Sequence, residues 1–554
     1  MVSSVLANVF LLSLLPLGSL AVAAEKASSF AGSTTSFVFP PNGTAVPTTY
    51  FPDATQVGNG GPTPTGDEAA AIETAPALAK VDTIYPLVSP VAAGEKSAST
   101  FDVAKYWGNL SPMYSVDSVL GDTSPLIPEG CSLNQVHLLH RHGARYPTTG
   151  GGPAPFAALL HNTTLAGGVS ASGALEFLNT WTYKLGAEIL TPFGREQLFN
   201  LGVGFRVQYG DLLKGFTELP VWRTTSEDRM VDSALHFAAG FFGVRTYQSD
   251  YNQVIIIEAS GFNNTLAPYE SASCPNANNA VSAIGSTAAA NWSAIYLKDA
   301  VKRLQPSIKG LNLTTDILYQ MQLMCPYETV ALGYSKFCGL FTEEEWKGFE
   351  YSIDLEFWYG SGPGQPTASA QGIGYVQELV ARLTKTPLST FDNTVNSTLD
   401  GNNITFPVDQ PIYVDATHDT VISTIVVAMN LTSMASEGPL PLDKIPEKQS
   451  YIVSQISPFG SRLVGQVLSC PTSDVSTHIR WVLNDAVLPL TGIEGCKENK
   501  DGLCELDVFI KGLQKRIEEV DFVHDCTANY TVPVPDNIVD GQYPTSLRNK
   551  TTST

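Results

Sequence analysis

Apolar residues are distributed along this chain in three regimes. Val5 to Leu20, VLANVFLLSLLPLGSL, is nearly unbroken apolar sequence followed by small residues at Ala21, Ala23 and Ala24. A run this short with a small-residue exit predicts a cleaved export signal over residues 1–24 rather than a membrane span. Residues 25–100 are rich in Ser, Thr, Pro, Gly and Ala, as in GNGGPTPTGDEAAA, and carry no sustained period. Such a segment buries too little surface to offset its ordering entropy and reads as a linker or stalk. From Phe101 to about Val532 the apolar periodicity is dense, and residues 533–554 form a polar tail without a hydrophobic end, which argues against a GPI anchor.

Within the dense region two periods alternate. Runs with period two or short apolar cores predict strands at Gln135–His140, Leu219–Thr224, Gln253–Glu258, Ile412–Ala416, Leu463–Leu468 and Arg480–Leu483. AIYLKDAVKRLQ and TDILYQMQLMCPYETVAL carry helical spacing. Strands interleaved with helices predict an α/β fold. GSGPGQP, residues 360–366, lacks the strand-to-helix setting of a phosphate cradle and reads as a flexible turn.

Charge narrows the function. The chain has 32 Lys+Arg against 53 Asp+Glu, a net charge of -21. Its surface as a whole repels polyanions, so neither nucleic acid nor an anionic membrane is an expected partner, and an anionic small molecule needs a local basic pocket. One stretch offers it: HLLHRHGARYPTTG, from His137 to Gly150, holds three histidines and two arginines within nine residues. Asn134–His140 reads as a strand, with Val136, Leu138 and His140 on one face and His137 and Leu139 on the other. Arg141, His142 and Arg145 then fall in the loop beyond the strand, where α/β sheets bind ligands. Two guanidiniums beside an imidazole suit a phosphoryl group: forked donors hold its oxygens and a ring nitrogen can attack phosphorus. Zinc, serine-esterase and P-loop motifs are missing from the sequence, and no metal or cofactor is expected.

Eight cysteines without a CxxC pair and eleven Asn-x-Ser/Thr sequons suit an exported glycoprotein. The sequons begin at Asn42, Asn109, Asn162, Asn263, Asn291, Asn312, Asn396, Asn403, Asn430, Asn529 and Asn549.

RHGARYP resembles the RHGxRxP signature of the histidine acid phosphatases, the branch of histidine phosphatases that includes fungal phytases. KYWGNLSPMYS, IRWVLNDAVLPL and the His418-Asp419 pair in PIYVDATHDTVIS are similar to segments of the same family. The resemblance implies a secreted phosphomonoesterase with a mixed sheet flanked by helices. The α/β core would cover about 101–150, 215–260 and 375–532, and a helical insert about 151–214 and 261–374. It further implies His142 as nucleophile and Asp419 as proton donor, with Arg141, Arg145, Arg223 and His418 holding phosphate. Arg223, in PVWRTTSEDRMVDSA, is taken as the family's third arginine and Arg229 as structural. By the same analogy Cys131 pairs with Cys470, Cys274 with Cys526, Cys325 with Cys338 and Cys496 with Cys504. The need for a protonated Asp419 predicts an acidic optimum, although a helix N-terminus pulls a carboxyl the other way. Fungal phytases carry lysines soon after the motif, and TTGGGPAPFAALL has none, which tips the expectation toward a broad acid phosphatase over a dedicated phytase. A phosphomutase and a catalytically idle wall glycoprotein of the same fold are the alternatives.

Overall fold

The computed structural model describes residues 101–548 except 119, 122, 271, 272, 472–474 and 535, together with 49–53 and 56. The expected export signal and nearly all of the expected linker lie outside the described residues.

At the centre is an eight-stranded mixed sheet. Its strands are β1 (Ser132–Arg141), β2 (Val221–Thr225), β3 (Asn252–Ile256), β4 (Ile412–Thr417), β5 (Arg462–Ser469), β6 (Thr477–Leu483), β7 (Ala486–Val487) and β8 (Cys504–Glu505). They lie in the order β8-β6-β5-β1-β4-β2-β3, with β7 on β6. The neighbours β1, β4, β2 and β3 are parallel, and β5, β6 and β8 continue the sheet antiparallel. Each of the six expected strand runs overlaps one of these strands.

The parallel strands are buried along most of their length because helices cover both of their faces. Helix α1 spans Ala154–Leu165, α2 Pro192–Tyr209, α3 Asp228–Phe242, α4 Ile284–Tyr296, α5 Thr315–Leu332, α6 Glu343–Gly360, α7 Ala368–Thr384, α8 Asp419–Ala428 and α9 Leu506–Glu519. On one face Val136 and Leu138 of β1 share a core with Leu198 and Phe205 of α2 and Phe237 of α3. Leu139, between them in sequence, joins the larger core on the other face with residues of α7, α8 and α9. This is the period-two split expected for β1.

The helical segments divide differently from the expectation. Helices α4, α5 and α6 pack on one another as a helical unit, but α2, expected in that unit, lies on the sheet. The reason is a close approach: a Cβ on Gly143 in the motif loop would collide with the carbonyl of Gly194 in α2, and one on Gly194 with Ala144. Two glycines thus let α2 press directly on the loop. GSGPGQP is also not a free turn, since residues 361–366 are buried.

The polar tail docks. Gly541 donates its N–H to the Pro363 carbonyl (2.9 Å) and accepts from Ser369 N (3.0 Å), and Tyr543 packs on Tyr530 with ring centroids 4.3 Å apart. All eight cysteines are bridged, as Cys131–Cys470, Cys274–Cys526, Cys325–Cys338 and Cys496–Cys504. No helix among the described residues is long and apolar enough to cross a membrane.

Candidate active site

The four parallel strands end on one edge of the sheet, and each delivers functional side chains just beyond its last residue. His142 follows β1, Glu227 and Arg229 follow β2, Glu258 follows β3, and His418 and Asp419 follow β4. Residues nearly 280 positions apart in sequence meet here because β1 and β4 are hydrogen-bonded neighbours, with Arg141 opposite Thr417.

His142 is buried and its Nδ1 lies 2.8 Å from the Gly143 carbonyl oxygen. A carbonyl only accepts, so Nδ1 carries the proton and Nε2 keeps its lone pair. Burial, reinforced by Arg141, Arg229, Arg145 and His418, holds the ring well below the ordinary histidine range. The imidazole therefore favours its neutral form. The His418 ring stands edge-on to it at 5.8 Å between centroids.

Arg141 is fully buried. Its Nη1 donates to the Ser457 carbonyl (2.9 Å) and to that of Asn109, its Nη2 lies 2.7 Å from Asp419 Oδ2, and its guanidinium covers Phe459. Burial lowers its pKa to about 10, so it stays cationic. Arg145 donates to its neighbour's carbonyl, Tyr146 O, at 2.9 Å. The Nε–H groups of Arg141, Arg145 and Arg229 are buried without an acceptor on the protein.

Asp419 opens α8 and accepts from Asn109 Nδ2 at Oδ2 (2.8 Å) and from Thr420 N at Oδ1 (2.8 Å). Burial alone would raise its pKa. Arg141, the Asn109 amide, Arg145 and the Thr420 N–H outweigh it and hold the carboxyl at about 2. The downward pull expected from the helix start is thus reinforced by Arg141 and outweighs burial.

His418 donates from Nε2 to Glu258, whose oxygens lie 3.0 and 3.1 Å away. Burial pushes Glu258 up, but His418, Thr225 and Arg229 bring it below its ordinary value, so an anion sits behind the imidazole. Glu227, Glu258 and His418 each bring one ligand atom within 4.8 Å of the others, the geometry of a possible cation site. Here Arg229 lies on Glu227, and His418 Nε2 is hydrogen-bonded to Glu258.

Arg223 does not reach this pocket, which corrects the expectation that it holds phosphate. It sits in mid-strand opposite Asp415 of β4. Its Nε donates to Asp415 (2.7 Å), Nη2 to Glu378 (2.6 Å) and Nη1 to Asp400 (3.3 Å). All three nitrogens are engaged by buried carboxylates, so the guanidinium is held in this cluster and away from the pocket. Arg229, read as structural, stands in the pocket instead. It pairs with Glu227 and Glu188, and together with Glu258 they raise its pKa despite burial.

The position of Arg229 was accessible in principle, since ligand groups sit past the C-terminal ends of parallel strands and Arg223 lies inside one. Asn109 and Glu188 carry no such signal. Asn109 heads a sequon, yet its amide is committed to Asp419 and Ser111 is fully buried. The amides of Asn263, Asn396 and Asn430 also donate to backbone carbonyls.

A sheet edge that gathers a neutral histidine, three guanidiniums and a histidine–aspartate pair defines a phosphoryl-transfer site of the histidine phosphatase kind. Residues 132–484 match the family described as histidine phosphatase superfamily (branch 2), and the chain belongs to it. It is a phosphoric monoester hydrolase of the histidine acid phosphatase type. It is 35% identical over 450 residues to Phytase A of Aspergillus fumigatus, covering 77% of this chain and 93% of that one. Phytase A of Emericella nidulans is 35% identical over 462 residues, covering 79% and 94%. Among solved structures, the phytase from D. castellii superposes with a TM-score of 0.63 at 25% identity, covering 80% of this chain and 92% of that one. The apo multiple inositol polyphosphate phosphatase of Bifidobacterium longum gives 0.51 at 12% identity, covering 73% and 96%, a likeness of fold alone.

Proposed function

We propose that this protein is an extracellular phosphatase of broad monoester range, with myo-inositol hexakisphosphate among its substrates, and that it works through a phosphohistidine at His142. The observation that carries the mechanism is the His142 tautomer: Nδ1–H on the Gly143 carbonyl leaves Nε2 free to attack. Arg141, Arg145, Arg229 and His418 hold the phosphoryl oxygens and take up charge as it develops. In the first step Nε2 bonds to phosphorus, the ester P–O bond breaks, and the leaving alkoxide takes a proton from Asp419. In the second, Asp419 as carboxylate takes a proton from water, whose oxygen displaces Nε2 and yields inorganic phosphate.

Asp419 is ionised in the free protein at working pH, so its proton must arrive with the substrate. A phosphate monoester below its second ionisation, near pH 6, carries one. Binding that monoanion beside Asp419 supplies the proton and raises the carboxyl through the added negative charge. Acid working conditions then follow from the substrate's protonation together with Asp419, rather than from Asp419 alone.

Export is supported by the expected signal segment and by four disulfides. Phytate as a substrate is supported by the relatives that carry the name phytase. The lysine-free loop Thr148–Leu160 argues against a privileged preference for it. The test is kcat/KM for phytate and for p-nitrophenyl phosphate at acid pH across a salt series. Comparable values with a shallow salt dependence are expected. A strong phytate preference that collapses with salt would replace the broad reading with a dedicated phytase.

A further inference from the structure

Glu188 is buried, and its backbone lies in the left-handed region at φ 69°. A side-chain-bearing residue is strained there, and strain of this kind persists where surrounding contacts demand it. Those contacts join two parts of the pocket. Oε2 accepts from Arg229 Nη1 at 2.9 Å, while Oε1 accepts from Thr149 N at 2.7 Å, in the loop that leaves the RHGARYP motif.

The backbone around Glu188 is fastened to the same loop. Glu188 N donates to Pro147 O (3.1 Å), Tyr146 N to Ile189 O (3.0 Å) and Thr191 N to Ala144 O (2.9 Å), with Arg145 bridged to Leu190. Residues 187–191 therefore run antiparallel along 144–149, and Glu188 is the point where that ribbon touches Arg229. Glu227, the other carboxylate on Arg229, comes from the same turn as the arginine. It can neutralise Arg229 but cannot fix it relative to His142. Glu188 can, because its main chain is tied to the loop that carries His142 and Arg145.

We propose that Glu188 is a positioning residue for phosphoryl transfer: it holds the Arg229 guanidinium in register with the His142 loop, so that the third arginine meets the phosphoryl group that the first two bind. The proposal rests on the reading of Arg229 as a phosphoryl ligand. Arg229 enters on the first turn of α3, an element separate from the motif loop, and a displacement of about 1 Å in such a group costs roughly a hundredfold in rate.

The experiment uses the full chain with Glu188→Gln, Glu188→Gly, Arg229→Ala and the Glu188→Gln/Arg229→Ala double variant. The readouts are kcat/KM for p-nitrophenyl phosphate, the competitive Ki of inorganic phosphate, and the melting temperature. Glu188→Gln is expected to weaken phosphate and lower kcat/KM by about ten- to a hundredfold, the range for a lost charge-assisted hydrogen bond. In the Arg229→Ala background the same change should cost less than about twofold, because the group it positions is gone. Glu188→Gly separates position from stability: glycine is at ease at φ 69°, so its melting temperature should hold while phosphate affinity falls as in Glu188→Gln. Equal losses from Glu188→Gln in both backgrounds, or an unchanged phosphate Ki in either Glu188 variant, would overturn the positioning role. An Arg229→Ala protein with wild-type Ki would overturn the assignment of Arg229 itself, and the proposal with it.

Discussion

Replacing Asp419 with asparagine keeps the shape of the side chain and removes both its charge and its proton, and the two losses pull binding and turnover in opposite directions. In the unliganded protein the carboxyl is held from 3.8 down to about 2, although burial opposes it. That gap corresponds to roughly 2 kcal/mol of net attraction between the carboxylate and its surroundings, chiefly Arg141 at 2.7 Å. In Asp419→Asn this attraction is returned to whatever anion binds next. The Ki of inorganic phosphate should therefore fall roughly ten- to thirtyfold, since about 1.4 kcal/mol is a factor of ten. Turnover moves the other way. Loss of a general acid costs about 10²–10⁴ on alkyl phosphates, whose alkoxide cannot leave unprotonated. It should cost far less on p-nitrophenyl phosphate, whose leaving group needs no proton. The assay is steady-state kinetics on both substrates with phosphate as competitive inhibitor. Equal losses on the two esters, or weaker phosphate binding in the variant, would refute the placement of Asp419 as both proton donor and partner of Arg141.

His142→Ala should abolish the phosphoenzyme and nearly all turnover with little change in melting temperature; labelled phosphohistidine trapped in that variant would contradict it. Arg223→Ala should leave kcat/KM per folded molecule unchanged but destabilise by about 3–5 kcal/mol, because it leaves buried Glu378 and Asp400 without their cationic partner and Asp415 with Arg382 alone. For roughly 450 structured residues that is a melting decrease of about 3–5 °C, measurable by calorimetry. Glu328 is buried, accepts from Trp181 Nε1 (2.8 Å) and Ser335 Oγ (2.5 Å), and is pushed by burial from 4.5 up to about 7. Its stabilising contribution is complete below about pH 4.5 and is lost as pH rises through 7, an effect of order 3 kcal/mol. Glu328→Gln should flatten the fall in melting temperature across that window by about 3 °C, and an unchanged pH slope would count against it.

Contiguous and periodic features were open to reading along the chain. RHGARYP places Arg141, His142 and Arg145 within five residues, so their chemistry shows without any fold. The six strand runs show because short apolar or alternating runs are a local pattern. The His418-Asp419 pair and the disulfide partners became visible through resemblance to a family. What the linear order hides is the set of contacts made by residues with no local pattern. Arg223 and Arg229 stand six positions apart, and the resemblance pointed to Arg223 as the phosphate ligand and to Arg229 as structural. Only the pairing of β2 with β4 assigns one to a buried carboxylate cluster and the other to the pocket, because a mid-strand side chain meets its neighbour strand while a residue past the strand end meets the ligand. Asn109, Glu188 and Glu258 gain their roles from chain segments far away in sequence: a carboxamide on Asp419, a carboxylate on Arg229, an anion behind His418. The downward pull on Asp419 was foreseeable from a helix start, but its outcome depended on how near Arg141 lies and how much water is excluded, and distance and burial are properties of the folded chain alone.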